Sequence, residues 1–397
     1  TITECGFVDR SPAEDDRYDG LRPAGTLDGT IRTIVELSGR DMRRRKLLLG
    51  SVFAAGVFSE PALLALTVPP VQSTARTGGK RVGMAEVQIL TEQVTQLRQL
   101  DYRYGSGRVR EQVVSLLHRE ATQLLHGTYT AKTGKALLTG VAQATKLAGY
   151  TAADVGRHSL AQRYYIQALD LAMAAGDRLY AANVLGLMSH MTVQIGQNAL
   201  TEHDRIRHGR QAAALARAGL NVTQGTATPA LAAELHAMEA RGLALVGDAR
   251  EAQRAVLAAQ RSYESLRPDD EPPWQGLYTE AAFAAHLGMC LRDLGEVGQA
   301  IKLTTTALDG FEPWRVRARC FAQTDLAGAH LLGNDLEQAA AVGRAALRTA
   351  ADVSSTRTHD RLRTLQRQVR ALRTRSPHLR ELDERITVFR TRSARRD

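Results

Sequence analysis

The 397-residue chain is 44% apolar, 24% charged and 5% aromatic, with a formal net charge of +10. That apolar content can bury a sizeable core, and it excludes collagen-like, mucin-like and wholly disordered chains. Cys5, Cys290 and Cys320 form no CxxC pair and no even-numbered framework, so neither a zinc site nor a disulfide scaffold is signalled, and a reduced, cytoplasmic setting is expected.

The charge is unevenly placed. Residues 1–41 carry nine acids against five arginines, which predicts an acidic, poorly ordered N-terminal segment. In residues 42–66 the run Arg43-Arg44-Arg45-Lys46 precedes leucines and a weakly apolar stretch, and so looks like a twin-arginine export signal. It follows an acidic stretch, however, and Glu60-Pro61 interrupts it well short of the roughly 20 residues of a membrane span. The expectation is therefore an apolar helix docked on the main domain. Residues 67–83 combine Pro-Pro, Gly-Gly and small polar residues, the composition of a linker.

From Ala85 onward the chain is rich in Ala, Leu, Gln and Arg, with apolar residues at spacings of three and four. This predicts an all-α domain. Turn glycines then fall into register: Gly156 with Ala161, Tyr165 and Ala168; Gly247 with Ala252, Val256 and Ala259; Gly295 with Ala300, Thr304 and Ala307. A fourth unit, Gly333 with Ala339, Gly343 and Ala346, has one extra turn residue, and Gly149 and Gly288 lie seven before their turn glycines. Gly196 is expected to start another unit, with a second helix from near Arg207 to Ala218. Glycine frees the backbone in a tight turn between two helices, and small residues on the second helix let neighbours approach closely.

These are the marks of tetratricopeptide repeats, which the sequence resembles here. The resemblance implies a right-handed superhelix (α-solenoid) of antiparallel helix pairs over residues 84–350. The glycines stand 40, 51, 48 and 38 residues apart, longer than the period of about 34 of a standard repeat. The connections Asn221–Pro229 and Pro268–Pro273 absorb much of that excess. Residues 351–397 read as Arg-rich C-terminal capping helices, split at Pro377.

Four stretches extend the likeness: Val82–Val87, Leu100–Arg108, Gly156–Asp170 and Met188-Ser-His-Met191. They resemble actinobacterial transcriptional regulators that join a phage-repressor-type (XRE) helix-turn-helix to a tetratricopeptide sensor region, with an Arg-Arg-Leu-Leu-Gly-like segment between, similar to Arg44–Gly50. No recognition helix is visible in residues 1–41, so the chain reads as the sensor half without its DNA reader. The resemblance implies transcription regulation, with DNA contacted through a missing domain or a partner.

No phosphate loop, Gly-x-Ser-x-Gly or His-Glu-x-x-His occurs, so a non-enzymatic protein without cofactor or metal is expected. His203 and His208 are badly spaced for two ligands on one helix face, and Ser189 and His190 point about 100° apart. Tyr102, Tyr104, Tyr164 and Tyr165 read as packing residues. Counting back from the turn glycines places Gln143, Lys146, Tyr150, Asn183, His190, Gln194, Glu234, Arg241 and Arg292 on the concave groove, where a peptide, a small-molecule effector or a regulatory protein would bind. Homodimerisation stays open. Two other readings are direct nucleic-acid binding through the Arg-rich C-terminal helices and an exported repeat scaffold.

Overall fold

The computed structural model describes residues 20–43, 53–67, 74–276 and 278–393, and among these it contains helices, two isolated β-bridges and no strand. The helices are α1 Leu27–Met42, α2 Ser59–Thr67, α3 Met84–Tyr104, α4 Ser106–Leu116, α5 Thr122–Leu125, α6 Ala131–Asp154, α7 His158–Ala175, α8 Arg178–Gln197, α9 Glu202–Val222, α10 Pro229–Val246, α11 Ala249–Glu264, α12 Glu280–Asp293, α13 Val297–Gly310, α14 Val316–Leu332, α15 Leu336–Ala350, α16 Thr356–Leu372 and α17 Pro377–Ser393. A single π-turn, Leu117–Ala121, joins α4 to α5. From α6 onward the helices pack as successive hairpins, an α-solenoid arrangement.

Local chemistry makes the hairpins. Gly247 ends α10 in the left-handed region at φ 87°, and Asp248 immediately caps α11 by accepting from the Glu251 amide. One dipeptide thus stops one helix and starts the next. In the unit with the extra turn residue, Gly333 is not left-handed; Asn334 takes that conformation at φ 58°, and Asp335 caps α15. Asparagine is among the few residues that tolerate it. The register alanines Ala161, Ala168, Ala252, Ala259, Ala300 and Ala307 are all fully buried. The glycines seven before the turns have a packing role: a Cβ on Gly149 would lie 2.6 Å from the Tyr165 ring, and one on Gly288 would lie 2.5 Å from Thr304 Oγ1. Each leaves room for the middle register residue of its own partner helix, Tyr165 or Thr304.

Several expectations are corrected. Gly196 makes no turn: it lies inside α8, where a Cβ would meet His208 at 2.8 Å. Helix α9 begins at Glu202 rather than near Arg207, because Thr201 caps it by accepting from the Asp204 amide. The acidic segment 1–41 includes α1, packed on α7: Asp170 accepts from the Ala24 amide and Thr30 Oγ1, and Gln167 donates to the Gly20 and Arg22 carbonyls. Buried Asp41 accepts from Tyr164 Oη at 2.9 Å and pairs with Arg110. An apolar face of Ile31, Ile34 and Leu37 underlies this docking; residues 1–19 lie outside the described residues.

The expected docking helix over 42–66 is two pieces, since Met42 closes α1 and α2 starts at Ser59. A 3₁₀ turn, Ala55–Phe58, and α2 pack against α7 and α9, with Phe58 fully buried. Residues 44–52, which hold most of the twin-arginine-like run, lie outside the described residues. The segment 67–83 is not a free linker where it is described. Thr74 is buried and donates to the Ala131 carbonyl, while Arg76 and Arg81 bridge to Tyr129 and Thr128.

The helix array closes into a ring. Helix α14 packs against α3, the Ser354 amide donates to the Tyr104 carbonyl at 2.9 Å, and the Gly107 amide donates to the Ser354 carbonyl at 2.9 Å. At the junction Arg317, 1% exposed, bridges Asp101 and Asp154, which are equally buried, and Ser355 Oγ donates to Asp154 at 2.9 Å. Burial works against the Arg317 cation, but the two carboxylates outweigh it and hold its pKa well above the ordinary arginine value. The Arg-rich pair α16 and α17 therefore covers the end of the array, while α14 and the connection into α16 join it to the beginning.

Candidate functional site

Helices α3, α6, α8, α10, α12, α14 and α16 each send side chains into a central cavity of about 960 Å³. Of the residues expected on the groove, Gln143, Lys146, Tyr150, Asn183, His190 and Glu234 line it. Gln194 and Arg292 line an adjoining cavity of about 1230 Å³; Asp325, Arg357 and Arg361 border both. Arg241 is the exception. It is fully buried behind the wall rather than on it, with Nη1 3.1 Å from His190 Nδ1.

A polar chain crosses one side of the cavity. Lys146 Nζ donates to Asn183 Oδ1, Asn183 Nδ2 donates to Gln275 Oε1 at 3.2 Å, and Gln275 Nε2 donates to Glu234 at 2.8 Å. Gln275 belongs to the connection between α11 and α12, which turns inward instead of serving as a surface spacer. Trp274 sets its ring edge-on to Tyr180 at 5.2 Å, and Arg98 holds the Trp274 carbonyl at 3.1 Å. Burial, with Arg98 adding to it and Glu234 opposing, pushes the Lys146 amine down to about 7. Burial likewise raises the Glu234 carboxyl above its usual range.

The opposite side is a stack of arginines and aromatic rings. The Arg357 guanidinium lies over Tyr150 at 5.6 Å and Phe321 at 5.0 Å, and Arg361 lies over Phe321 at 4.4 Å. Asp325 accepts from Arg292 at 2.6 Å and from Arg361 at 2.7 Å. Between the two sides stand His190 and His286, ring centroids 5.7 Å apart, with Tyr278 5.7 Å beyond His286. Burial, reinforced by Arg241 and its neighbours, holds His190 well below the ordinary histidine value and pushes His286 down to about 3. Both rings are neutral near pH 7. His190 Nδ1 lies 3.1 Å from Arg241 Nη1, and its Nε2 faces the Gln194 amide and the Arg357 guanidinium.

Sequence reasoning missed Arg317, Phe321, Arg357 and Arg361, which it placed in the last repeat or the cap, and Trp274 and Gln275, which it passed over beside a proline-rich connection. A tryptophan beside Pro-Pro was the available signal, since so large an apolar ring rarely stays on a connector's surface. Ser189 points away from His190 and donates to the Ala212 carbonyl at 2.7 Å, so the two form no catalytic pair. Tyr164 and Tyr165 are buried, and Tyr102 faces the cavity. No group of three metal-binding side chains occurs among the described residues, and no described helix is long and apolar enough to cross a membrane.

Arg241 sits in a costly environment. Its Nε and Nη2 find no hydrogen-bond partner among the described residues, and no carboxylate contacts it. Burial, then Arg361, pushes its pKa down to about 10. Replacing a buried ionic group by an apolar side chain of similar volume is often neutral or stabilising by about 1–4 kcal/mol. Arg241→Met is therefore expected to unfold at higher urea concentration than the wild type, and a lowered midpoint would refute this account of the residue. A group kept at such a cost belongs to function more than to stability.

No family model matches the chain, and the search of curated proteins found none similar to it.

Proposed function

We propose that this protein is the sensor part of a transcriptional regulator, a ring of tetratricopeptide-type repeats whose central cavity binds a small molecule. The central cavity carries the reading: six of the nine residues expected on the groove converge on it from three different helices, together with aromatic side chains. Its volume lies in the range of small-molecule sites, roughly 300–1,000 Å³, and ring closure narrows the expected partners from an extended peptide to a compact effector. The regulatory half rests on the resemblance of the repeat register and of Gly156–Asp170 to actinobacterial regulators, with DNA contacted through another domain or protein.

Direct nucleic-acid binding through the C-terminal helices has less support, because many of their arginines are already engaged. Arg370 and Arg373 pair with Asp383, Arg363 with Asp360 and Arg361 with Asp325, while Arg390 donates to Gln366. The reading is tested by deleting the gene and complementing it with wild type or with Asn183→Ala, which breaks the polar chain from Lys146 to Gln275. A defined set of transcripts should change on deletion and be restored by wild type but not by a variant of matched thermal stability. Unchanged transcripts, or full restoration by the variant, would overturn it.

A further inference from the structure

The cavity's charges do not balance. Asp101 and Asp154 are taken by Arg317, Asp325 lies between Arg292 and Arg361, Glu234 is bonded to Gln275, and Glu92 stands exposed at the edge. Three arginines, Arg98, Arg241 and Arg357, are left without a close carboxylate, as is Lys146, whose amine burial pushes down to about 7. Arg98 donates to a carbonyl, Lys146 to an amide and Arg241 to a histidine, while Arg357 reaches Asp154 only at 3.9 Å.

Beside them, two buried polar atoms have no hydrogen-bond partner among the described residues: Tyr278 Oη, on a residue 9% exposed, and His286 Nδ1. Both residues line the cavity. A buried hydroxyl and a buried ring nitrogen left unpaired are costly, and each can donate to an acceptor. His190 stands between His286, 5.7 Å away ring to ring, and Arg357, whose guanidinium lies 3.3 Å from His190 Nε2.

We infer that the ring cavity takes a small aromatic acid. Its carboxylate or sulfonate is seated against Tyr278 and His286, with Arg357 among the cations of the same cavity. Its flat body lies along the apolar wall at Leu187, Ala282 and Ala285, because guanidinium groups already cover the Tyr150 and Phe321 rings. The acid accepts from the Tyr278 hydroxyl and from His286 Nδ1–H, and it balances the surplus cations; hydrogen bonds to an ionised acceptor are the strong ones. Arg241, out of reach behind the wall, is a positioning residue: its Nη1 lies 3.1 Å from His190 Nδ1 and sets the orientation of that ring. The inference rests on the cavity being a small-molecule site and adds the chemical class of the ligand.

A matched pair of fluorescent probes tests it on the whole chain. 8-Anilinonaphthalene-1-sulfonate carries an acid on an aromatic body, and N-phenyl-1-naphthylamine is the same body without the acid. The expected result is one sulfonate probe bound per folded chain, a raised melting temperature, and affinity at least about tenfold above that of the neutral probe. Tyr278→Phe and Arg357→Gln should each weaken the sulfonate by about three- to tenfold and leave the neutral probe unchanged. Equal or tighter binding of the neutral probe would overturn the acid preference while leaving a small-molecule cavity in place. Preference for the sulfonate unaffected by both substitutions would overturn the seating. Failure of both probes to bind saturably or raise the melting temperature would overturn the inference together with the small-molecule reading, whereas a failed transcript experiment alone would remove only the regulatory half.

Discussion

Replacing Arg317 with methionine is expected to lower the stability of the folded ring by about 3–5 kcal/mol, because it leaves Asp101 and Asp154 as buried carboxylates without their cation. The shape of the molecule should change as well. Arg317 meets Asp101 across 216 positions of chain, whereas the hairpins are held by contacts between successive helices. Such repeats keep their local structure when a distant contact is lost, so the expected product is an opened array with its helices retained. Urea denaturation reads the stability, small-angle scattering the radius of gyration and circular dichroism the helix content. An unchanged radius of gyration with a loss below about 1 kcal/mol would show that the ring is closed by something other than this cluster.

The second large effect is on pH dependence. His190 and His286 are held neutral in the folded state, well below the ordinary value and near about 3 respectively, while in the unfolded chain both titrate near 6.5. The unfolded state therefore binds more protons between pH 6.5 and the folded values. Stability is fully present above pH 6.5 and is lost as pH falls below it, at up to about 1.4 kcal/mol per pH unit for each histidine. Asp170 works in the opposite sense: burial raises it to about 6, so its protonation favours the folded state between that value and its ordinary one. Comparing variant with wild type removes this background. His286→Phe is expected to flatten the fall in stability between pH 6.5 and 5 by up to about 1.4 kcal/mol per unit. Parallel curves for the two proteins would mean that His286 is solvated enough to titrate normally.

Much of the cavity wall was legible from the turn glycines alone. Lys146, Tyr150 and Gln143 lie on one face of α6, and Asn183 and His190 on one face of α8, so counting helical turns back from Gly156 and Gly196 reached them. The count succeeded at Gly196 although that glycine lies within its helix, because it still marks the end of α8 nearest the turn. It failed at Arg241, whose side chain is fully buried behind His190 instead of facing the cavity. Arg357 and Arg361 were out of reach for a different reason: they belong to an end-capping helix, and a cap has no groove face until the two ends of the array meet.

The same division explains the N-terminal segment. Its acidic composition suggested disorder, yet Ile31, Ile34 and Leu37 make an apolar face and Asp41 finds Arg110 and Tyr164 in the folded body. Net charge describes how a segment behaves alone, and this one is not alone. By itself the amino-acid sequence determined the helical class, the hairpin register and the small residues at the helix crossings, because these depend on neighbours within a few turns of the same chain. The tertiary structure decided that the array closes, that Trp274 and Gln275 turn inward, and that the arginines of α14 and α16 face the tyrosines of α3 and α6. Those contacts join residues far apart in the chain through geometry accumulated over many small helix-to-helix rotations, and no local motif records that sum.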